Sequence, residues 1–261
     1  IVKKMTKVEG TELKNKIIVL EEEIKDESLK IETLQQLWDK MRSDIVQLVK
    51  KIEYLNLESF KTPKVTNMKD MFGSCTLLES LNVKNFDTNQ VTSFSGMFSS
   101  SSSIKSLDLS SFKTPLVENM SNMFSNCISL EFIDISNFDF TRVTNIASMF
   151  NGCTSLISID LSNFNTQKVD RMDGLFCDCK ALKSLNTQNL ITSQVTTMSS
   201  MFSGCSSLIE LDLSSFDTRK VDSMYEMFNG CSSLTKLKID NFDMSSVGTT
   251  RSMFQQCSST S

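Results

Sequence analysis

Cysteine has the widest chemistry of any residue type in this sequence, because a thiolate can ligate a metal, form a disulfide or act as a nucleophile. The chain has eight cysteines among 261 residues and no histidine. Seven cysteines follow one 26-residue interval, with Ser101 at the single missing step: Cys75, Cys127, Cys153, Cys179, Cys205, Cys231 and Cys257. Without histidine, neither a Ser-His-Asp nor a Cys-His catalytic group can form within the chain.

The spacing leaves three interpretations of these cysteines open. At one fixed position of stacked units, cysteine behaves as a small buried apolar residue. Parallel rungs lie about 4.8 Å apart, so disulfides between neighbouring units are also sterically allowed. Zinc is disfavoured, because structural zinc sites use ligands at short Cys-x-x-Cys spacing. Cys177 stands outside the interval and is the best candidate for an exposed thiol.

Aspartates form a second regular series, and carboxylates can bind calcium or act as a catalytic acid and base. The series is Asp108, Asp134, Asp160 and Asp212, with Asn186 at the remaining step. The glycine–aspartate nonapeptide of calcium-binding β-rolls is absent, and no aspartate is distinguished from the others. We therefore expect hydrogen-bonded, solvated carboxylates, and neither an enzyme nor a metal or other cofactor.

The elements that carry both series repeat with the same 26-residue period. Val195, Met198 and Met201 have the spacing of one helix face, and Leu211-Asp212-Leu213 alternates like a strand with Asp212 outward. Because every unit runs in the same direction, strands of adjacent units must be parallel. The sequence thus predicts an α/β solenoid with one short strand and one short helix in each unit.

Two rows of phenylalanine follow the same period, and we interpret both as core because they keep the spacing to Met and Cys. The first row is Phe72, Phe98, Phe124, Phe150, Phe176, Phe202, Phe228 and Phe254. The second row is Phe86, Phe112, Phe138, Phe164, Phe216 and Phe242, with Leu190 as its exception.

Residues 208–234 read Leu-x-x-Leu-Asp-Leu-Ser-x-Phe-Asp-Thr-x-x-Val-x-x-Met-x-x-Met-Phe-x-x-Cys-x-x-Leu. This pattern resembles the BspA-type leucine-rich repeat, which occurs on bacterial surfaces, in mycoplasmas and in some protists. The resemblance covers residues 52–261 and implies a leucine-rich-repeat right-handed superhelix of parallel strands and short helices. It also implies adhesion or protein binding. Asn186, Thr187 and Leu190 depart from the pattern.

The outward positions of the predicted strands differ between units, whereas the core positions repeat. On the predicted concave face, we expect these residues to bind a partner: Tyr54, Asn82, Lys84, Asp108, Phe132, Asp134, Asp160, Asn186, Glu210, Asp212, Lys236 and Lys238. Phe132 and Tyr54 are aromatic residues on an otherwise polar face, and aromatic residues are enriched at interface hot spots. The alternative is that Phe132 is an isolated apolar surface residue.

Residues 1–51 lack the repeat and predict a long α-helical segment that precedes the solenoid. Heptad spacing favours an oligomerising coiled coil through Leu13, Ile17, Leu20, Ile24, Ile31, Leu34, Trp38 and Met41. The alternative is a monomeric cap on the first unit, because Ile45 and Ile52 are in register with the repeat. We expect two domains, a helical stalk and cap at 1–51 and the repeats at 52–261, with the last unit incomplete.

These features together predict a non-enzymatic module for adhesion or protein binding, displayed on the cell surface or secreted. The expected partner is a host or self surface protein. A net charge of −4 argues against nucleic acid, and no apolar run is long enough to insert in a membrane. The alternative is a structural subunit of a filament, appendage or sheath, assembled through the helix and the open ends of the solenoid.

Overall fold

The computed structural model describes residues 40, 54–57 and 59–257. The coiled-coil and cap predictions for residues 1–51 therefore lie outside the described residues, apart from Lys40. The predicted oligomerisation residues are outside them as well: Leu13, Ile17, Leu20, Ile24, Ile31, Leu34, Trp38 and Met41.

Four short strands are assigned, two at each end of the described chain. Strand β1 is Tyr54–Asn56 and pairs in parallel with β2, Ser80–Asn82. Strand β3 is Glu210–Asp212 and pairs in parallel with β4, Lys236–Lys238. In both pairs, each residue lies opposite the one 26 positions away, so the pairing follows the sequence period.

The predicted α/β solenoid of parallel strands and short helices is wrong. Residues 54–57 and 59–257 contain no α-helix, and only four of their units have a strand, each of three residues. The other units have no strand at the same place, and the Ile157 N–H, for example, makes an isolated bond there to the Glu131 carbonyl, at 3.2 Å.

The segment that was predicted as a helix consists of overlapping turns. The N–H groups of Met201, Ser203 and Cys205 each donate to the carbonyl three residues earlier, at 3.2 Å. The residues between them, such as Phe202, donate instead to the next unit, where the Met227 carbonyl accepts at 2.9 Å. The helix prediction fails because overlapping turns also bury residues three and four apart.

Left-handed backbone at two positions in each unit prevents a continuous helix. In this unit, Ser200 has φ 55° and Gly204 has φ 75°. Each is the third residue of a hydrogen-bonded turn, where positive φ favours glycine and asparagine. Asn122 and Asn126 fill the two positions in an earlier unit, with φ 56° and 58°.

Hydrogen bonds between these turn segments join all the described units into one parallel stack. Seven isolated parallel bridges connect residues 26 positions apart, beginning at Asn67–Ser93 and ending at Ser223–Thr249. Further bonds run from Ser200, Phe202 and Gly204 to the following unit at 2.6–2.9 Å. The continuous backbone ladder therefore lies along the turns, not along the predicted strands.

The core confirms the interpretation of the phenylalanine rows, except at Phe254, which is 49% exposed. From Phe72 to Phe254, successive rings of the first row are stacked with centroids 5.5–6.0 Å apart. The second row is buried up to Phe216, and Phe242 is partly buried. Leu190, its exception, is buried as well.

A row of buried threonines cross-links the units inside the stack. The Thr192 hydroxyl donates to the Asp217 carbonyl at 3.0 Å and accepts the Asp217 N–H at 2.8 Å. Thr62, Thr88, Thr114, Thr166 and Thr218 occupy equivalent positions. Phe140 replaces threonine in one unit and packs on Phe164, with ring centroids 4.1 Å apart.

Candidate binding surface

From Cys127 onward, the cysteine row is a row of hydrogen-bond donors, and these thiols form no disulfide within the described residues. The thiol of Cys153 donates to the Phe124 carbonyl of the preceding unit at 3.1 Å. The same bond, at 3.0–3.2 Å, recurs in every later unit. Ser101 makes it with its hydroxyl, to the Phe72 carbonyl at 2.6 Å. The buried-thiol interpretation is confirmed from Cys75 to Cys231, Cys257 is half-buried, and the disulfide interpretation is wrong.

Burial makes these thiols poor nucleophiles. It raises the pKa of Cys127 and of Cys231 to about 12, so the reactive thiolate is scarce at neutral pH. Cys177 is half-buried, not exposed as the sequence suggested, and burial together with the charges of Asp178 and Glu226 raises its pKa to about 11. Within the described residues, no cluster of His, Cys, Asp or Glu could hold a metal ion.

The aspartate series closes turns. The Asp134 carboxylate accepts the N–H of Ser136 at 2.9 Å, and the Asp160 carboxylate accepts that of Ser162 at 2.8 Å. Asp108 accepts both the N–H and the hydroxyl of Ser110, at 3.0 and 2.6 Å. The predicted hydrogen-bonded carboxylates are confirmed.

These hydrogen bonds give the aspartates a structural role that the sequence analysis missed. Asn82 and Asn186 accept an N–H two residues later in the same way, so closing this turn needs a side-chain oxygen but no charge. Lys238 occupies the same position without such an oxygen. The signal was present in the sequence, because Asp and Asn bond to backbone two residues on and initiate turns. Bonds to Ser110 and Ser136 lower the pKa of Asp108 and Asp134, which keeps both carboxylates ionised.

We use the term variable face for Ser80, Asn82 and Lys84 together with the residues at the same places in later units, ending at Lys236, Lys238 and Asp240. Among the predicted binding residues, Asn82 is half-buried and the others with described side chains are exposed: Lys84, Asp108, Phe132, Asp134, Asp160, Asn186, Glu210, Asp212, Lys236 and Lys238. The side chain of Tyr54 lies outside the described residues. Phe132 is 55% exposed.

Charges near the end of the variable face are paired between successive units. Lys236 lies 3.6 Å from Glu210, and Lys238 lies 2.6 Å from Asp212. Both pairs follow from the register of β3 and β4, which places these residues opposite one another. This part of the face therefore neutralises its own charges.

Apolar residues beside the variable face were missed by the sequence analysis. Ile157 and Ile209 directly precede the outward positions of their units and are 40% and 51% exposed. The Ile157 N–H donates to the carbonyl of Glu131, the residue before Phe132. Phe132 and Ile157, which are exposed apolar residues of neighbouring units, thus lie near each other.

None of the described residues forms a helix with the length and hydrophobicity needed to span a lipid bilayer. Neither the curated proteins nor the solved structures include a match to this sequence. One family model matches residues 40–158, 117–189 and 183–261, which together cover most of the chain. The chain therefore belongs to the family described as "Mycoplasma protein of unknown function, DUF285".

Proposed function

We propose that this protein is a non-enzymatic module that binds a protein partner through its variable face. One observation carries the proposal: the interior repeats from unit to unit, whereas the outward residues change. Ser106, Phe132 and Glu210 occupy one outward position in three different units, and all three are exposed. Repeat proteins bind partners in this way: the packing inside the stack is the same in every unit, and the residues of one face differ.

The chemistry of the described residues supports binding rather than catalysis. The regular thiols are hydrogen-bonded to backbone, and the aspartates of the variable face close turns. The resemblance to BspA-type repeats supports adhesion, with display on the cell surface or secretion as the proposed location. The proposed partner is a surface protein of the host or of the same cell.

Site-specific photocrosslinking tests this proposal. p-Benzoylphenylalanine in place of Ser158 would lie on the variable face, and in place of Thr144 it would lie on a turn segment; both residues are exposed. After irradiation of intact cells that express each variant, we expect a discrete adduct from position 158 and none from position 144. Equal adducts from both positions would contradict the assignment of the face.

A further inference from the structure

The middle of the variable face differs from its end in the arrangement of its charges. Asp108, Asp134 and Asp160 belong to three successive units and take part in none of the described ion pairs. Lys84 contributes only a minor effect on the pKa of Asp108. A row of unbalanced negative charge therefore crosses the middle of the face.

The carboxylates of this row are held in fixed orientations before any partner arrives. One oxygen of Asp134 accepts the backbone N–H of Ser136 at 2.9 Å, and Asp108 and Asp160 make the equivalent bonds. The second oxygen of each has no described hydrogen bond. A side chain that is already ordered loses little conformational entropy when it binds.

Phe132 provides an independent reason to expect a partner at this place. It occupies the outward position two residues before Asp134 and is 55% exposed, where four other units have serine: Ser80, Ser106, Ser158 and Ser184. At the rise and spacing of extended chains, its Cα lies roughly 8 Å from those of Asp108 and Asp160. An exposed aromatic ring within a polar, well-ordered row is typical of an interface anchor.

The separation of the carboxylates determines which kind of cation they can bind. Successive rungs are about 5 Å apart, and the described residues form no group that could share a metal ion. Each aspartate is thus suited to a separate cation. Nucleic acid is excluded as an occupant because its charge has the same sign as this row.

Resting on the function proposed above, we propose that the middle of the variable face binds a basic polypeptide segment. An apolar side chain of the segment packs on Phe132 beside Ile157, and its lysine or arginine side chains pair with Asp108, Asp134 and Asp160. Negative charge and an exposed ring occur together here, so the segment must combine positive charge with an apolar residue.

The test uses the whole chain and a labelled peptide in which lysines alternate with serines around a central leucine. Fluorescence anisotropy would measure its affinity, beside a peptide with glutamate in place of lysine. We expect binding of the lysine peptide only, weakening as salt is raised. The triple variant Asp108→Asn, Asp134→Asn, Asp160→Asn should weaken binding by roughly tenfold.

This triple variant keeps the fold, because Asn82 and Asn186 close the same turn in the native chain. Phe132→Ser, which introduces the residue found at this position in four other units, should also weaken binding by about tenfold. Asp139→Asn is the matched control and should leave affinity unchanged, because Asp139 lies outside the variable face and accepts the N–H of Thr141 in the same turn-closing way. Equal binding of the two peptides, or unchanged affinity in the triple variant, would overturn the inference.

Two further results separate this inference from the proposed function. Adducts from position 158 that persist in the triple variant would support a binding face and reject a basic partner. Self-association of the chain without peptide, lost in Phe132→Ser, would assign the patch to a second copy and also overturn the inference. Loss of both the adducts and peptide binding in the triple variant would support both proposals.

Discussion

At the scale of single residues, the stack is fastened by short polar side chains that reach the backbone of a neighbouring unit. Cys153 donates to the Phe124 carbonyl, and Thr192 binds both backbone groups of Asp217. A buried carbonyl that loses its donor costs about 1–3 kcal/mol. Hydrogen bonding, rather than thiol chemistry, therefore explains which residues are accepted at the cysteine position.

Cys153→Ser and Cys153→Ala test this role, because the two replacements differ by one hydroxyl group. We expect the free energy of unfolding, measured in urea, to be about 1–2 kcal/mol higher for the serine variant. Ser101 shows that a hydroxyl can make the bond. Equal stability of the two variants would show that the thiol contributes packing alone.

Asp212 provides a test of the pairing between successive units. Hydrogen bonds from Lys238, and then from Ser214, lower the pKa of Asp212 from 3.8 to about 2. Because the pKa is lowered in the folded protein, the interaction favours folding above pH 3.8 and is lost as the pH falls through about 2. Carboxyl NMR titration should show this low pKa.

Lys238→Gln should raise the pKa of Asp212, since it removes the largest cause of the shift. Lys236→Gln, whose lysine pairs with Glu210, is the matched control and should leave that pKa in place. A titration of Asp212 that Lys238→Gln does not move would mean that the ion pair is absent in solution.

At the scale of elements, an asparagine amide joins the turn after the strand segment to the preceding unit in the units of Asn137, Asn163, Asn189 and Asn241. Asn137 donates to the Leu109 and Phe112 carbonyls at 2.9 and 2.7 Å. Ser111 occupies the same place one unit earlier, and its buried hydroxyl has no partner among the described residues. This junction is thus weaker than the next one.

Ser111→Asn should strengthen the junction by about 1 kcal/mol, because its amide would reach the Val83 and Phe86 carbonyls. Thermal and urea unfolding would measure the gain. Ser111→Ala removes the unpaired hydroxyl without adding the amide, so its gain should be smaller. An asparagine variant no more stable than the alanine variant would contradict the proposed bonds.

At the scale of the whole molecule, the contacts between units repeat at fixed sequence separations. Removing residues 154–179 deletes 26 residues and leaves every remaining partner in place. We expect this variant to fold and to unfold cooperatively, with moderately lower stability, because one interface is lost. Circular dichroism during urea unfolding would measure this.

Deletion of residues 154–178 is the matched control, because it removes 25 residues and displaces by one the pairs that form across the new junction, whereas pairs between later units stay 26 residues apart. Core side chains at this junction would no longer meet their equivalents in the next unit, so this variant should be less stable than the 154–179 deletion and its two halves should unfold separately. Similar behaviour of the two deletions would show that the 26-residue register does not determine the fold.

The sequence period predicted which residues meet, but not the backbone that brings them together. The phenylalanine stack and the buried thiols follow directly from the 26-residue interval. The helices were wrong because apolar spacing does not report the sign of φ, and Ser200 and Gly204 have left-handed backbone. The strand prediction was wrong in the middle units. Alternation of apolar residues predicts which side chains are buried, but it does not predict backbone hydrogen bonds between neighbouring units.

The candidate surface was predicted in part. Exposure of Phe132 and of the aspartates agrees with the alternating pattern. The turn-closing bonds of Asp134 and Asp160 were missed because the regular series drew attention to charge. Ile157 was missed because it precedes the alternating residues, and the pattern there does not predict whether a side chain faces the core or the solvent.

Because almost every unit contains one thiol, thiol labelling can measure the local opening of each unit separately. A buried thiol cannot be alkylated until its own unit separates from the neighbour, so a labelling reagent reads local opening at Cys127, Cys153 and Cys231 independently. Mass spectrometry after brief exposure to such a reagent would order the units from the first to open to the last. The position of the weakest interface could thus be located without introducing a single mutation.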